Sequence, residues 1–487
     1  MSMVRGLAGS RVGVSVCSRV RGFAGSRVGV LLCLIGLIGL IGPMGPMPLS
    51  ASPTQAKGAD VVKKVLDNGL TVVVKPEKGS GLVAIVAAIR AGAAQESIQN
   101  AGLGNFVAQL LLAGTRLSSA EEVAAVADEV GGNIAAYWRQ DFTEIRAVTT
   151  SAMFNRAMTL VGECLTDADF EGKWVEQVRA DLLKRLRTDS DDTFQSAYAR
   201  LRTLLYEDNG YRRPSLGFER VVKQATPQDL RKFHSAYYVP NNIIISVAGD
   251  VTVEQALDRA EKAFAGISPG KLPINRGMPD EKLDRSAFNA SEADIPAAYL
   301  LMGWLAPGMA SSDYPALAVA ANALGGGKAS LMFREMRQRR GMGYDLGVLY
   351  PRSKYQSHIF AYVVTDPYKE VLPKVKGPLV LDEVKRVLLQ QIDALKDKPL
   401  SGEDLQRAKG YTIGTYALSQ QRLMDRAFML AWLEAIGVGC ESVRTFPDEV
   451  GKVTAEDVQR VARKYLDTYA AVVLIPKTRS PTAGANE

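Results

Sequence analysis

The chain has 487 residues, 47% apolar and 23% charged, which is the balance of an ordinary globular protein too long for one hydrophobic core. Its formal charge of +7 is concentrated at one end: residues 1–56 hold five arginines and no acid, leaving 54 basic against 52 acidic side chains in the remainder. A nearly neutral body without a basic stripe interleaved with aromatics excludes nucleic acid as a partner.

At the start, Arg5, Arg11, Arg19, Arg21 and Arg27 frame and precede the apolar run Val28–Ile41, and Pro43, Pro46, Pro48, Ala51 and Ala56 follow it. This is the order of a secretory signal peptide, so residues 1–56 are expected to be removed and the protein to be periplasmic or secreted. A mitochondrial transit peptide and an uncleaved membrane anchor are the alternatives. The continuous apolar run argues against the first, and Gly29, Gly36 and Gly39 argue against the second. Only Cys164 and Cys440 lie beyond the signal, at a spacing that demands neither a disulfide nor a metal site.

Leu70–Val74 and Val83–Arg90 read as adjacent strands entered through an Asn68-Gly69 turn, and helices are expected over Gly104–Ala113, Ser119–Val130, Ala152–Leu165 and Phe170–Leu186. A repeat then appears. TPQDLRKFHSAYYVPNNIIISV at 226–247 and TAEDVQRVARKYLDTYAAVVLI at 454–475 align Thr226 with Thr454, Asp229 with Asp457 and Tyr237 with Tyr465. Each copy opens on a capping threonine with an acid three residues on, continues as an apolar-periodic helix and ends as a buried strand. Two similar α+β domains are therefore expected, 57–270 and 297–487, joined by a Pro-rich connector at 271–296. Each should hold a sheet covered on one face by helices. In the second, strands are expected near Ala298–Leu305, Gly347–Tyr350 and Ile359–Val364, with helices over Pro315–Leu324, Ala329–Arg339, Leu381–Leu395 and Gly402–Leu418.

Gly102–Thr115 reads GLGNFVAQLLLAGT and resembles the GLAHFLEHLLFKGT signature of the M16 (insulinase and mitochondrial processing peptidase) family at Gly102, Leu103, Phe106, Leu110, Leu111, Gly114 and Thr115. LDNGLTVVV at 66–74, AGAAQE at 91–96, GGNIAAYWRQDFTEI at 131–145, YYVPNNIIISVAGDV at 237–251 and EDLQRAK at 403–409 extend the likeness from Leu66 to Pro476. The resemblance implies an α+β fold of two homologous M16-type (LuxS/MPP-like) domains, each a mostly antiparallel sheet covered by helices.

The zinc chemistry of that signature is missing. Two imidazoles four residues apart on a helix grip one zinc, with a neighbouring glutamate as base. Here Asn105, Ala108 and Gln109 occupy those places, and neutral amides and a methyl group do neither task. The family's distal glutamate would fall at 182–186, within the helix WVEQVRADLLKRLR, and no carboxylate stands there; Glu176 and Asp181 read as solvated helix surface. Ala135 replaces the asparagine usual in the strand bordering the metal. His234, beside Phe233 and Tyr237, reads as a packed side chain, and His358 lies far from it. No metal ligand set is expected in this chain, and the resemblance implies that zinc sits in a partner.

SLMFREMRQRRGMGY at 330–344 resembles the family's second signature, whose arginine and tyrosine, here Arg337 and Tyr344, hold substrate and steady the oxyanion at a zinc site. Gly325-Gly326-Gly327 resembles the family's glycine loop, with no P-loop lysine after it. Arg334, Arg337, Arg339 and Arg340 also compose a plain basic helix face. The resemblance implies a non-catalytic subunit of a heteromeric M16 zinc metallopeptidase, paired with an H-x-x-E-H homologue and acting on unfolded peptide. A catalytically inactive scaffold or peptide-binding protein, possible also as a homodimer, is the alternative.

Overall fold

The run IIISVAG at 243–249 has no polar face to offer water, and it becomes a fully buried strand threaded between two earlier ones. The computed structural model describes residues 61–170, 172–273, 277–366 and 379–477, and the expected signal at 1–56 lies outside them. The first half forms strands β1 (Val62–Val65), β2 (Thr71–Pro76), β3 (Leu82–Ile89), β4 (Ile134–Trp138), β5 (Thr143–Thr150) and β6 (Ile243–Gly249), in the sheet order β1-β2-β6-β3-β5-β4. The second forms β7 (Ala287–Ala293), β8 (Ala298–Ala306), β9 (Asp345–Leu349), β10 (Ser357–Thr365) and β11 (Ala470–Pro476), in the order β7-β11-β8-β10-β9. The last strand of each half lies parallel to the neighbour on one side and antiparallel to that on the other: β6 with β2 and β3, β11 with β7 and β8. The two mostly antiparallel sheets thus share one topology, apart from the extra β1.

The repeat is visible in the caps. Thr226 and Thr454 each close a capping box with Asp229 and Asp457, starting the helices Pro227–Tyr237 and Ala455–Tyr465 that lead into β6 and β11.

Both sheets are covered on two faces, not one. One face of the first sheet packs under its own half's helices through Ile85, Ile245, Phe106, Leu160 and Val161. The opposite face, Ala84, Val86, Ala88 and Ile244, joins the second half's core beneath the helix Leu423–Ile436. In return, the helix Thr193–Leu205 crosses from the first half onto β8 and β11, setting Leu201 and Leu205 against Leu301, Val472 and Leu474. A Cβ at Gly303 would stand 2.9 Å from Leu205 Cδ1, so this helix rests on bare backbone. Each fully buried leucine in such a seam is worth roughly 1.5–3 kcal/mol. His358 on β10 fastens the same seam: Tyr198 Oη lies 2.9 Å from its Nε2 and Tyr206 Oη 2.8 Å from its Nδ1. Burial pushes this imidazole down to about 3, which keeps it neutral.

The connector is shorter than 271–296, because Ala287–Ala293 is β7, paired along its length with β11. Cys164 and Cys440 are buried and unpaired with each other. No helix among the described residues is long and apolar enough to cross a membrane.

Candidate functional site

The signature helix spans Leu103–Leu110, and Gly102 before it, at φ 109°, has no side chain with which to cap it. The cap comes from upstream. The buried Glu96 carboxylate accepts the N–H of Gly102 at 2.9 Å and of Gly104 at 2.7 Å, placing an acceptor on the orphan donors of the first turn. Burial outweighs these bonds and the nearby Arg213, and lifts the Glu96 carboxyl to about 7. Trp138, at the end of β4, lies against the first turn so closely that a Cβ on residue 104 would stand 2.0 Å from its Cη2. Only glycine fits there.

The three altered positions are committed locally. Asn105 is buried and donates from Nδ2 to the Leu216 carbonyl at 3.3 Å, Ala108 is fully buried, and Gln109 Oε1 accepts from Arg185 Nη1 at 3.1 Å. Arg185 sits on the helix Gly172–Asp191, inside the 182–186 window where a distal carboxylate would be needed. A guanidinium brings positive charge where zinc needs negative, so these residues do not fit the metal. Glu176 is taken by Arg179 at 3.1 Å, and Asp181 is exposed. His234 donates from Nε2 to the Leu165 carbonyl at 2.8 Å, and burial lowers it to about 4. Elsewhere among the described residues Glu434, Cys440 and Glu441 bring ligand atoms together, but Lys63 Nζ, 2.7 Å from Glu434 Oε1, already supplies a cation.

In the second half, the chain makes a π-helical turn over Phe333–Arg339, and Gly341 and Gly343, at φ 65° and 75°, turn it into Tyr344. The arginine cluster separates into two kinds. Arg334 pairs with Asp404 at 2.8 Å, and Arg339 and Arg340 both pair with Glu335 at 2.9 Å. Arg337 has no carboxylate partner among the described residues, and its Nη1 donates to the Gly343 carbonyl at 2.6 Å. Tyr344 is 58% exposed, its hydroxyl 3.5 Å from Asp366 Oδ2, beyond the ordinary range of a hydrogen bond. Asn105 and Gln109 find their partners in the first half, Arg337 and Tyr344 in the second, so the chain builds two places rather than one joint site. Sequence reasoning missed the roles of Glu96, Trp138 and Arg185; a glycine inside a helix at 104 was the one signal of a close neighbour.

Fold and site together define a two-domain α+β protein in which Asn105, Ala108 and Gln109 stand where the signature would carry zinc ligands and a base. Residues 71–217 match Insulinase (Peptidase family M16), and residues 224–411 match the Peptidase M16 inactive domain. The chain belongs to peptidase family M16. It is 25% identical over 420 residues to an uncharacterized zinc protease of Streptomyces coelicolor, covering 83% of this chain and 87% of that one. A protease from Helicobacter pylori superposes with a TM-score of 0.78 at 20% identity, over 86% of this chain and 100% of the other. A peptidase M16 inactive domain from Pseudomonas fluorescens superposes at 0.76 with 18% identity, over 86% and 99%. These structural likenesses are of fold.

Proposed function

We propose that this chain is the non-catalytic subunit of a heteromeric M16 zinc metallopeptidase, lending substrate binding and oxyanion stabilisation to a zinc-bearing H-x-x-E-H partner. One contrast carries the reading: each neighbouring arginine pairs with a carboxylate, while Arg337 meets none among the described residues and stands seven residues before the exposed Tyr344. A guanidinium donates a rigid fork of hydrogen bonds to a carbonyl oxygen, and a phenol donates one more. In this reading the chain needs no cofactor of its own, and zinc resides in the partner. Unfolded peptide lies as an added strand along β4, the outer strand of the first sheet. The export signal read in residues 1–56 puts the complex in the periplasm, and mass spectrometry finding those residues intact on the native protein would refute that placement.

The test mixes the zinc-bearing partner with wild-type, Arg337→Ala or Tyr344→Phe chains, confirms assembly by gel filtration and compares turnover of one unfolded peptide. Losing one oxyanion donor is expected to slow turnover roughly a hundredfold to a thousandfold while the complex still assembles. Equal turnover in all three leaves the chain as an inactive scaffold or peptide-binding protein.

A further inference from the structure

The free edge of the first sheet carries a charge arrangement that oxyanion chemistry does not use. The register sets Tyr137 opposite Glu144 and Ala135 opposite Arg146, and Arg139 follows Tyr137 by two residues, so Tyr137, Arg139, Glu144 and Arg146 share one face. Glu144 is wholly buried and accepts from Arg139 Nε at 2.8 Å, Arg146 Nε at 2.9 Å and Arg146 Nη2 at 2.8 Å. One carboxylate cannot neutralise two guanidinium groups. The surplus falls at Arg139, whose side chain is 41% exposed and whose Nη1 and Nη2 meet no acceptor among the described residues. Arg146, by contrast, is 20% exposed and holds its Cζ 4.0 Å over the Phe428 ring. The half-exposed Tyr137 ring lies 4.8 Å from Arg139 Cζ and 5.3 Å from Arg146 Cζ, which adds cation–π attraction to the pinned Nε. What remains open on Arg139 is the two-nitrogen fork that matches a carboxylate.

We infer that this face of β4 reads acidic side chains: a peptide strand added along β4 is held best when an aspartate or glutamate falls opposite Tyr137, on the face beside the Arg139 fork. The inference rests on the reading that peptide lies along this edge. Residues directly opposite across paired strands approach to about 4.5–5.5 Å, within reach of the fork. Alternate residues face the other side of the sheet, so an acid shifted by one position misses it. A lysine opposite Tyr137 meets repulsion from Arg139 instead.

The experiment uses the full chain without any zinc partner. Fluorescence anisotropy measures binding of a labelled ten-residue Thr/Ser-rich peptide carrying one central glutamate, and of its Gln and Lys versions. The glutamate peptide is expected to bind about tenfold to a hundredfold more tightly than the glutamine peptide, the range of one charge-assisted pair, and the lysine peptide most weakly. Arg139→Gln is expected to erase the preference while leaving glutamine-peptide affinity unchanged. Arg139→Lys, which keeps the charge and loses the fork, should restore part of it and decides the matter if the Gln variant fails to fold. Equal affinity for the three peptides, binding of none, or an equal loss for glutamate and glutamine peptides in the variants overturns the inference. Because no partner is present, failure here leaves the turnover test of Arg337 and Tyr344 standing, and the reverse also holds.

Discussion

Two segments lie between corresponding strands of the two halves, the first helical element in one half and the second in the other, and end differently. Between β3 and β4 runs the helix Leu103–Leu110; between β8 and β9 runs the turn Phe333–Arg339 with Tyr344 after it. In the first, Asn105 is bound to Leu216, Gln109 to Arg185, and Trp138 presses on Gly104, so the segment is closed by its own surroundings. In the second, Arg337 is tied at one nitrogen to a backbone carbonyl and Tyr344 stays exposed. The difference teaches that a segment stripped of metal chemistry is packed and capped like any core element. The segment in the second half keeps polar groups that packing does not require.

The largest expected effect concerns the cap. Burial lifts the Glu96 carboxyl to about 7 in the folded chain, above its ordinary value of 4.5, so the folded chain holds its proton more tightly. Below about 4.5 both states are protonated and the group costs nothing. As pH rises the unfolded chain ionises first, and stability falls by up to about 3 kcal/mol before levelling above 7. Urea unfolding of wild type and Glu96→Gln across pH 4–8 measures this as a difference that grows with pH; parallel curves would remove Glu96 from its place under the helix.

Next comes the metal. The triple change Asn105→His, Ala108→Glu and Gln109→His is expected to hold zinc weakly, because Arg185 still directs a positive charge at position 109. Adding Arg185→Glu supplies the missing carboxylate and should tighten zinc at least about a hundredfold, the upper end of what even an outer-shell partner contributes. Competition against a chromophoric chelator reads both affinities, and equal values would show that Arg185 does not stand in the distal ligand's place.

The smallest effects sharpen the contrast most directly. Gly104→Ala forces a methyl into Trp138 and should destabilise by about 1–3 kcal/mol, relieved in part by Trp138→Leu. Arg337→Ala and Tyr344→Phe, at exposed positions, should stay within about 0.5 kcal/mol of wild type. Urea midpoints compare all four variants, and a large loss at Arg337 or Tyr344 would make that pair structural.

By itself, the sequence determined that two α+β halves exist, because the Thr226 and Thr454 caps, the helices after them and the apolar runs into β6 and β11 are local patterns set by hydrogen bonding and burial period. It also determined that Asn105, Ala108 and Gln109 are poor zinc donors, since that follows from residue chemistry alone. Only the tertiary structure decided that the helices Thr193–Leu205 and Leu423–Ile436 exchange between the halves, because a helix's periodicity states that it has an apolar face and not whose sheet that face meets. The same limit hid β7, whose pairing with β11 lies far along the chain, and the Asp404 partner of Arg334. That Arg334 meets Asp404 while Arg337 meets no carboxylate among the described residues, and that Arg139 shares one buried carboxylate with Arg146, depend on how the folded backbone brings side chains together.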